Sequence, residues 1–208
     1  DGGEILKSKR SVIIANTGDD TLTCLDIETR EVLDILDLKS IGKSFIGPYE
    51  LICTENNLIY CTNIYDNSLY KIDMNIKKVV DSIYVGSYPT CIESFRDNFY
   101  IVNTDSNSIS VVDEKKFSLV ESIPVGEKPT DIVIDEINMI MYIANSNSNS
   151  INIINLISED NTTIKLQSNP IKLILENNLM YILSTINNSP LPKSNISLLN
   201  LETLDVEN

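Results

Sequence analysis

The chain of 208 residues contains no histidine, no tryptophan and only seven glycines. The absence of histidine excludes Ser-His-Asp and Cys-His catalysis and removes the commonest metal ligand of proteins. The four cysteines, Cys24, Cys53, Cys61 and Cys91, include no Cys-x-x-Cys pair, so a zinc site would have to gather scattered thiolates. We therefore predict neither a metal site nor a cofactor.

Basic residues and long apolar runs are also scarce. Lys and Arg number 16 against 30 Asp and Glu, which gives a net charge of −14. Such a chain repels phosphate backbones and anionic membrane surfaces, so we expect no nucleic-acid partner. No apolar run approaches the roughly 20 residues of a membrane-spanning helix, so we expect no membrane insertion. The chain begins at Asp1 without a charged-then-apolar leader, which leaves open a removed leader or a piece of a longer protein.

A repeat of about forty residues runs along the chain. Its mark is a four-residue pattern of an aromatic or apolar, an apolar, a small and an asparagine residue, which ends at Asn16, Asn63, Asn103 and Asn145 and, in a weaker copy, at Ser184. These ends are spaced 47, 40, 42 and 39 residues apart. Two further positions keep the period: an Asp or Asn (Asp26, Asp73, Asp113, Asn155, Asn200) and a proline (Pro48, Pro89, Pro129, Pro170). Three independent positions with one period indicate a repeat architecture.

Within each repeat, short segments rich in β-branched residues alternate with polar turns. Four such segments per repeat predict an all-β fold, a β-propeller of four-stranded antiparallel blades with about five blades in this chain. We predict one domain over residues 1–208, with repeats at 1–39, 48–86, 89–126, 129–168 and 170–208. The propeller is either closed with five blades or part of a larger one, for example with seven blades, and we expect a piece.

The repeat resembles the YVTN-type β-propeller family, in Tyr100-Ile101-Val102-Asn103 and in residues 108–113, 120–126 and 129–134. The resemblance covers almost the whole chain. It implies a bacterial surface-layer, cell-envelope or periplasmic protein and hence a cell-envelope or extracellular location, although the chain itself shows no signal peptide. The family has no shared catalytic motif, so the resemblance implies no catalytic residue.

The chain departs from the family two residues after each proline, where a small residue is usual. Four larger side chains stand there at the predicted start of the inner strands, and we predict that they form a rim that binds a small polar ligand or a cation: Glu50, Cys91, Asp131 and Lys172. Tyr49 and Tyr88 flank this rim and are predicted to stack on a partner. Two alternatives stay open, solvated strand ends and an ion pair between Lys172 and a carboxylate.

Two repeats carry insertions: one begins at Ser40 and ends at Gly47, and the other begins at Ser189 and ends at Ser194. Strand parity places both on one face of a propeller, which indicates either a binding face or tolerated variation of loops. The Asp- and Asn-rich loops of that face lack the calcium-loop spacing and are explained as turns.

A two-residue turn at Asn56 and Asn57 predicts that Cys53 lies opposite Tyr60 and Cys61 opposite Ile52. Neighbouring positions point to opposite sides of a sheet, so a Cys53–Cys61 disulfide is excluded. We expect both cysteines to be buried, reduced and apolar in character.

Three functions remain open. The favoured hypothesis is a non-catalytic binding or scaffolding propeller that engages a protein, a cell-envelope component or a small polar ligand through the insertion-bearing face. The second is an enzyme, a lyase or hydrolase, whose groups Glu50, Asp131 and Lys172 would converge at the channel mouth. The third is a purely structural module of a larger surface or coat protein. A binding module should expose an apolar or aromatic patch around Phe45, Tyr49, Tyr88 and Leu191.

Overall fold

A computed structural model describes residues 11–43, 45–54, 56–186 and 193–207. The described elements are strands and one short 3-10 helix, and they form one antiparallel sheet for each predicted repeat. Sheet one contains β1 (Ser11–Asn16), β2 (Thr21–Asp26) and β3 (Val32–Asp37), and the 3-10 helix η1 (Leu38–Ile41) follows it. The prediction of an all-β fold with one sheet per repeat is confirmed.

The other four sheets have four strands each, in chain order. Sheet two contains β4 (Pro48–Cys53), β5 (Leu58–Asn63), β6 (Ser68–Asp73) and β7 (Lys78–Tyr84). Sheet three contains β8 (Pro89–Phe95), β9 (Asn98–Asn103), β10 (Ser108–Asp113) and β11 (Ser118–Pro124). Sheet four contains β12 (Pro129–Asp135), β13 (Ile140–Asn145), β14 (Ser150–Asn155) and β15 (Asn161–Lys165). Sheet five contains β16 (Asn169–Glu176), β17 (Leu179–Ile186), β18 (Lys193–Asn200) and β19 (Val206–Glu207).

The chain divides into two compact units, residues 1–90 and residues 91–208. In the first unit, apolar side chains of sheets one and two meet in one core that includes Leu22, Ile46, Ile59 and Tyr70. In the second unit, sheet four is buried on both faces, because Met141 and Ile143 pack against sheet three while Tyr142 and Ile151 pack against sheet five. The strand over residues 140–145 is almost entirely apolar because one of its faces packs against sheet three and the other against sheet five.

The repeating asparagine before the turn links the two strands on either side of that turn; it is buried at Asn103 and Asn145 and half-buried at Asn16. The amide of Asn16 donates to the hydroxyl of Thr23 over 2.8 Å, Asn103 donates to Ser110 over 2.9 Å, and Asn145 donates to the amide oxygen of Asn152 over 2.7 Å. Each donated hydrogen bond satisfies the side-chain oxygen that accepts it, whereas the Oδ1 atoms of Asn103 and Asn145 are themselves buried without a hydrogen-bond partner.

The repeating Asp or Asn at the end of the strand before the outer strand closes the turn between these two strands. Its side-chain oxygen accepts backbone N–H groups two or three residues further on, as in Asp26 to Glu28 over 2.8 Å and Asn200 to Glu202 over 2.9 Å. These are Asx turns, for which Asp and Asn are the preferred residues. The same geometry in the fifth repeat places Asn200 at the position that the sequence predicted.

The predicted pairing of β4 with β5 is wrong by one residue. Cys53 lies opposite Ile59, Ile52 opposite Tyr60 and Leu51 opposite Cys61. The reason is the turn, in which Thr54 N–H donates to Leu58 over 2.9 Å, so that three residues rather than two form the loop. A slip of one residue in a hairpin follows directly from the loop length.

All four cysteines lie among the described residues, and none forms a disulfide. Cys24, Cys61 and Cys91 are buried, whereas Cys53 is exposed, so the expectation of burial is wrong for Cys53. Burial raises the pKa of the Cys61 thiol to about 12. The one described helix is far too short to cross a bilayer, and no described helix meets the requirement for a membrane span.

Candidate functional site

A buried carboxylate holds the first insertion against sheet one. Asp20 is 5% exposed and lies in the turn between β1 and β2. Its Oδ1 accepts the backbone N–H groups of Ile46 over 2.9 Å and Gly47 over 2.8 Å, and its Oδ2 accepts that of Phe45 over 3.1 Å. Three consecutive amides on one carboxylate are charge-assisted hydrogen bonds, which are the stronger kind. The insertion is therefore fixed at its C-terminal end.

A second carboxylate holds the middle of the insertion. The Nζ atom of Lys43 lies 3.3 Å from Oδ2 of Asp66 and 5.7 Å from the ring centroid of Tyr70. The Tyr70 hydroxyl donates to the same Oδ2 over 2.5 Å, and the Ser68 hydroxyl donates to Oδ1. Burial and this hydrogen bond to Asp66 raise the pKa of Tyr70. The insertion thus contacts sheet two through a cation held over an aromatic ring.

The pinned insertion presents Phe45 to solvent. Phe45 has a φ of 61°, in the left-handed region, and its side chain is 78% exposed. Two residues later, Gly47 has a φ of 67°, and a Cβ atom there would lie 2.5 Å from the Tyr65 ring. Only glycine fits here, because a Cβ atom would clash with this ring and a side chain would strain the left-handed backbone. Two backbone hydrogen bonds hold this close approach: Ile64 N–H donates to the carbonyl of Gly47 over 2.9 Å, and Tyr65 N–H donates to that of Ile46 over 3.1 Å.

Tyr88 is presented in a similar way on a neighbouring loop. Its φ is 58°, and its backbone N–H donates to the side-chain oxygen of Asn67 over 2.9 Å. The Val85 N–H donates to the carbonyl of Asn67 over 3.1 Å, so the loop before β8 is tied to the turn before β6. Three hydrogen-bonded loops and the start of β4 in the first unit therefore carry four exposed aromatic side chains, which we name the aromatic face: Phe45, Tyr65 and Tyr88 in the loops and Tyr49 in β4.

Three of the predicted rim residues, Cys91, Asp131 and Lys172, lie in the second unit and contact one another. The Nζ atom of Lys172 lies 2.7 Å from Oδ1 of Asp131. The Leu173 N–H donates to Oδ2 of Asp131 over 2.7 Å, and the Cys91 thiol lies 3.6 Å from Oδ1. Asp131 is 1% exposed, whereas the Lys172 side chain is 55% exposed. The ion pair considered from the sequence is present and joins the inner strands β12 and β16.

A β-bulge explains why Asp131 points inward. The pairing of β12 with β13 shifts between Pro129 and Asp131, and that of β16 with β17 shifts between Pro170 and Lys172. A bulge adds one residue to a strand and changes the direction of the side chains that follow. The skipped residue Thr130 donates its hydroxyl to Pro170 over 3.2 Å. Asp131, two residues after Pro129, therefore follows a bulge and is not a solvated strand end.

Glu50, the remaining rim residue, lies in the first unit. It is half-buried, and its backbone N–H and carbonyl both contact the Thr62 hydroxyl, over 3.1 and 3.4 Å. A rim of all four predicted residues spans both units and stays a prediction, as does the placement of both insertions on one face. Residues 189–192 of the second insertion, including Leu191, lie outside the described residues, whereas Lys193 and Ser194 begin β18.

Two clefts lie between sheets three and four of the second unit. One, of about 420 Å³, has an apolar floor that includes Val111, Ile123 and Leu156 and carries Glu121 and Glu159 at its lining. The other, of about 560 Å³, is polar, and its Lys165, Ser148 and Asn152 hydrogen bond to neighbouring protein groups. Within residues 11–43, 45–54, 56–186 and 193–207, no three Cys, Asp or Glu side chains are grouped to hold a metal ion.

Comparison with known proteins shows the fold and no more. No family model and no curated protein matches the chain. Hydrazine synthase of Kuenenia stuttgartiensis has a similar structure, with a TM-score of 0.80 and 16% identity over 94% of this chain and 61% of that chain. Virginiamycin B lyase from Staphylococcus aureus gives a TM-score of 0.75 and 14% identity over 96% of this chain and 66% of that chain.

The WD40 repeats of RRP9 are also similar, with a TM-score of 0.70 and 10% identity over 94% of this chain and 58% of that chain. The chain thus spans about three-fifths to two-thirds of the length of these proteins. They include two proteins named for enzymatic activities and one named for its repeats, so the likeness does not select a function. With these neighbours and one antiparallel sheet per repeat, the chain has the β-propeller fold.

Proposed function

We propose that this propeller is a non-catalytic binding module that engages a partner protein through the aromatic face. The observation that carries the proposal is Phe45, an aromatic side chain that is 78% exposed on a backbone in the left-handed region and held there by a buried carboxylate. The exposure of Phe45, Tyr49 and Tyr88 supports the proposal, while Leu191, the fourth residue of the expected patch, lies outside the described residues.

The energetics of Phe45 favour a function over a packing role. Leaving a phenylalanine exposed forgoes about 2 kcal/mol of burial, and a left-handed backbone costs a non-glycine residue about 1 kcal/mol. Neither cost is recovered by contacts of the Phe45 ring in the folded chain, because the ring is largely in solvent. Strained, rigidly held residues of this kind concentrate at binding sites.

The rigidity of the insertion also favours binding. Two carboxylates, Asp20 and Asp66, fix the loop before any partner arrives, so little conformational entropy is lost on association. Tyr and Phe side chains that present large, stiff surfaces are common anchors of protein interfaces. The net charge of −14 favours a partner surface that carries basic residues around an apolar pocket.

The carboxylate-enzyme alternative finds less support. Asp131 is buried beneath Lys172 and accepts the Leu173 N–H, so both of its oxygens have partners within the protein. A general acid or base must reach the proton that it transfers. This arrangement suits a structural ion pair between neighbouring inner strands.

The proposal is tested with a phage-displayed library of random peptides selected on the 208-residue protein. We expect the enriched peptides to combine basic and apolar residues and to bind Phe45→Ala at least about tenfold more weakly, as for an interface anchor. Ile137→Ala is the matched control, because Ile137 is 92% exposed in a turn of the second unit. Circular dichroism checks that each variant keeps its fold.

Three outcomes would overturn the proposal. One is the absence of any enriched peptide, which would leave a purely structural module as the better account. Another is enrichment of peptides that bind wild type and Phe45→Ala equally. The third is a glycan array on which glycans bind and Phe45→Ala abolishes that binding, since the partner would then be a carbohydrate.

A further inference from the structure

The cleft of about 420 Å³ between sheets three and four combines an apolar floor with two carboxylates. The floor includes Val111, Ile123 and Leu156. Glu121 lies on β11, the outer strand of sheet three, and Glu159 lies in the turn between β14 and β15 of sheet four. Both glutamates are exposed, and in the described part of the chain no basic side chain forms an ion pair with either carboxylate.

Asp34 of sheet one occupies the position that Glu121 has in sheet three. Asp34 lies opposite Cys24, the fourth residue of β2, and Glu121 lies opposite Val111, the fourth residue of β10. In both sheets a β-bulge follows at once, since the pairing shifts directly after Cys24 and directly after Val111. The two acidic side chains therefore have the same place on the outer strand.

Lys77 of sheet two occupies the position that Glu159 has in sheet four. Each lies four residues after the Asp or Asn that closes the turn to the outer strand, and each has a left-handed backbone, with φ of 53° and 63°. The Nζ atom of Lys77 lies 2.6 Å from Oδ2 of Asp34, so an ion pair joins sheets one and two at this place. Between sheets three and four, both positions are acidic and neither supplies a cation.

The corresponding positions of sheets four and five are uncharged. Thr162 lies opposite Ile153, the fourth residue of β14, and Leu204 stands four residues after the closing Asn of its repeat. Leu201 and Val206 pack against the core that these two sheets share. Apolar contacts therefore take the place of the ion pair there, and two like charges are found only at the cleft between sheets three and four among these three sheet pairs.

We propose that this cleft binds a small primary alkylammonium ion, with its charge between Glu121 and Glu159 and its alkyl chain on the apolar floor. Such a ligand has the chemistry of the Lys77 side chain, an ammonium group on an apolar stem that contacts Asp34 in the first unit. Mostly apolar clefts of about 300–1,000 Å³ with a few polar groups are typical small-ligand sites. The site is independent of the aromatic face, which lies in the first unit.

The surroundings of the two carboxylates favour an organic cation over a metal ion. Burial, and to a smaller extent the charge of Glu121, raises the pKa of Tyr100 in the same cleft, so this carboxylate lies within electrostatic reach of the lining. A Ca²⁺ ion needs six or more oxygen ligands, and no three Cys, Asp or Glu side chains are grouped within the described residues. An apolar floor contributes to the binding of an alkyl chain and not to that of a hydrated ion.

The test is a titration of the 208-residue protein with n-hexylammonium chloride, followed by calorimetry and by NMR shifts of backbone amides. We expect a Kd of about 1 mM or tighter, with the largest shifts at Val111, Ile123 and Leu156. Binding should become about threefold tighter for each methylene added from butyl to hexyl. n-Hexanol, which has the same chain without the charge, should bind at least about tenfold more weakly.

Variants separate the two carboxylates from the overall charge of the protein. Glu121→Gln and Glu159→Gln should each weaken hexylammonium binding about fivefold. Glu136→Gln is the matched control and should bind as wild type does, because Glu136 is an exposed glutamate in the turn between β12 and β13, outside the cleft lining. Glu159→Lys recreates the charges of the first-unit pair and should abolish binding, because its own ammonium group competes for Glu121. Circular dichroism checks the fold of each variant.

Four outcomes would overturn the proposal. The first is the absence of hexylammonium binding to wild type, including the case in which a lysine-containing peptide binds instead, since the occupant would then be a partner protein. The second is hexanol that binds as tightly as hexylammonium. The third is unchanged binding in both Gln variants of the cleft, and the fourth is an equal loss in Glu136→Gln. The chain-length series uses wild type alone, so it tests the apolar floor even where a variant fails to fold.

Discussion

Asp20 in the first unit and Asn107 in the second occupy the same position of the repeat. Asp20 lies in the turn between β1 and β2, and Asn107 lies in the turn between β9 and β10. Both have left-handed backbones, with φ of 59° and 54°. Both accept hydrogen bonds from the loop that leads to the next proline, but Asn107 accepts one amide, that of Lys128 over 2.9 Å, whereas Asp20 accepts three. The longer loop of the first repeat is thus accompanied by a stronger acceptor.

The difference shows how a repeat protein accommodates an insertion. A carboxylate has two acceptor oxygens, while a side-chain amide has one, so replacing Asn by Asp increases the number of backbone donors that one turn can hold. The backbone part of the link is unchanged, because Leu38 N–H donates to Asp20 over 3.0 Å just as Val125 N–H donates to Asn107 over 3.0 Å. At this position, the two turns therefore share the backbone hydrogen bond and differ in the side chain.

The largest effect is expected from removing the carboxylate. Asp20→Ala leaves the amides of Phe45, Ile46 and Gly47 without their acceptor, and we expect a loss of about 4 kcal/mol in the free energy of unfolding. Asp20→Asn keeps one acceptor and should lose about 2 kcal/mol. Urea denaturation followed by circular dichroism measures both. Equal stability of Asp20→Asn and wild type would contradict the role given to the second oxygen.

The matched change in the second unit should have a smaller effect. Asn107→Ala removes one hydrogen bond to Lys128 and places alanine in a left-handed backbone, so we expect a loss of about 2 kcal/mol. Asn107→Asp keeps the acceptor and should change stability by less than about 0.5 kcal/mol. The same denaturation experiment applies. If Asn107→Ala costs as much as Asp20→Ala, the number of amides is not what separates the two turns.

The smallest expected effect concerns a core position that differs between the units. Cys61 occupies the position that Ile101, Ile143 and Ile182 fill elsewhere, and burial raises its pKa from 9.0 to about 12. The unfolded thiol therefore loses its proton first as pH rises, so stability that is complete below pH 9 is lost progressively towards pH 12. Between about pH 8 and pH 10, wild type should lose about 1 kcal/mol more than Cys61→Ala.

Ile59→Val serves as the control for this measurement, because it loosens the same strand without removing an ionisable group. Its stability should fall with pH as steeply as that of wild type in urea denaturation series. Identical slopes for wild type and Cys61→Ala would mean that the thiol does not titrate differently in the folded and unfolded chains.

Repeat-level features could be predicted because the same residue type recurs wherever the same hydrogen bond is made. Asn103 and Asn145 end second strands and donate across the turn, and Asp26 and Asn200 close the turn to the outer strand. The four-strand pattern followed from the short β-branched segments between these marks. None of this required knowledge of contacts distant in the chain.

Features that depend on backbone detail or on distant partners were not predicted. The register of Cys53 depends on a three-residue loop that is not distinguishable in sequence from a two-residue turn. The burial of Asp131 follows from a bulge after Pro129, and bulges leave little signal in one sequence. Asp20 resembled an ordinary turn residue, since its partners lie 25 to 27 residues away. The available signal was an Asp in place of the usual Asn, in the repeat that carries an insertion.

The hydrogen bonds between each turn and the loop after its sheet also define which segment of a repeat can be grafted as a unit. Asn149 accepts the Leu166 N–H over 2.8 Å and the side-chain amide of Asn169 over 2.8 Å, both beyond the last residue of sheet four. A graft cut at the sheet boundary would separate Asn149 from these donors, whereas one that covers residues 130–170 keeps them. For recombination or circular permutation, the interchangeable unit of this protein therefore runs from one proline to the next.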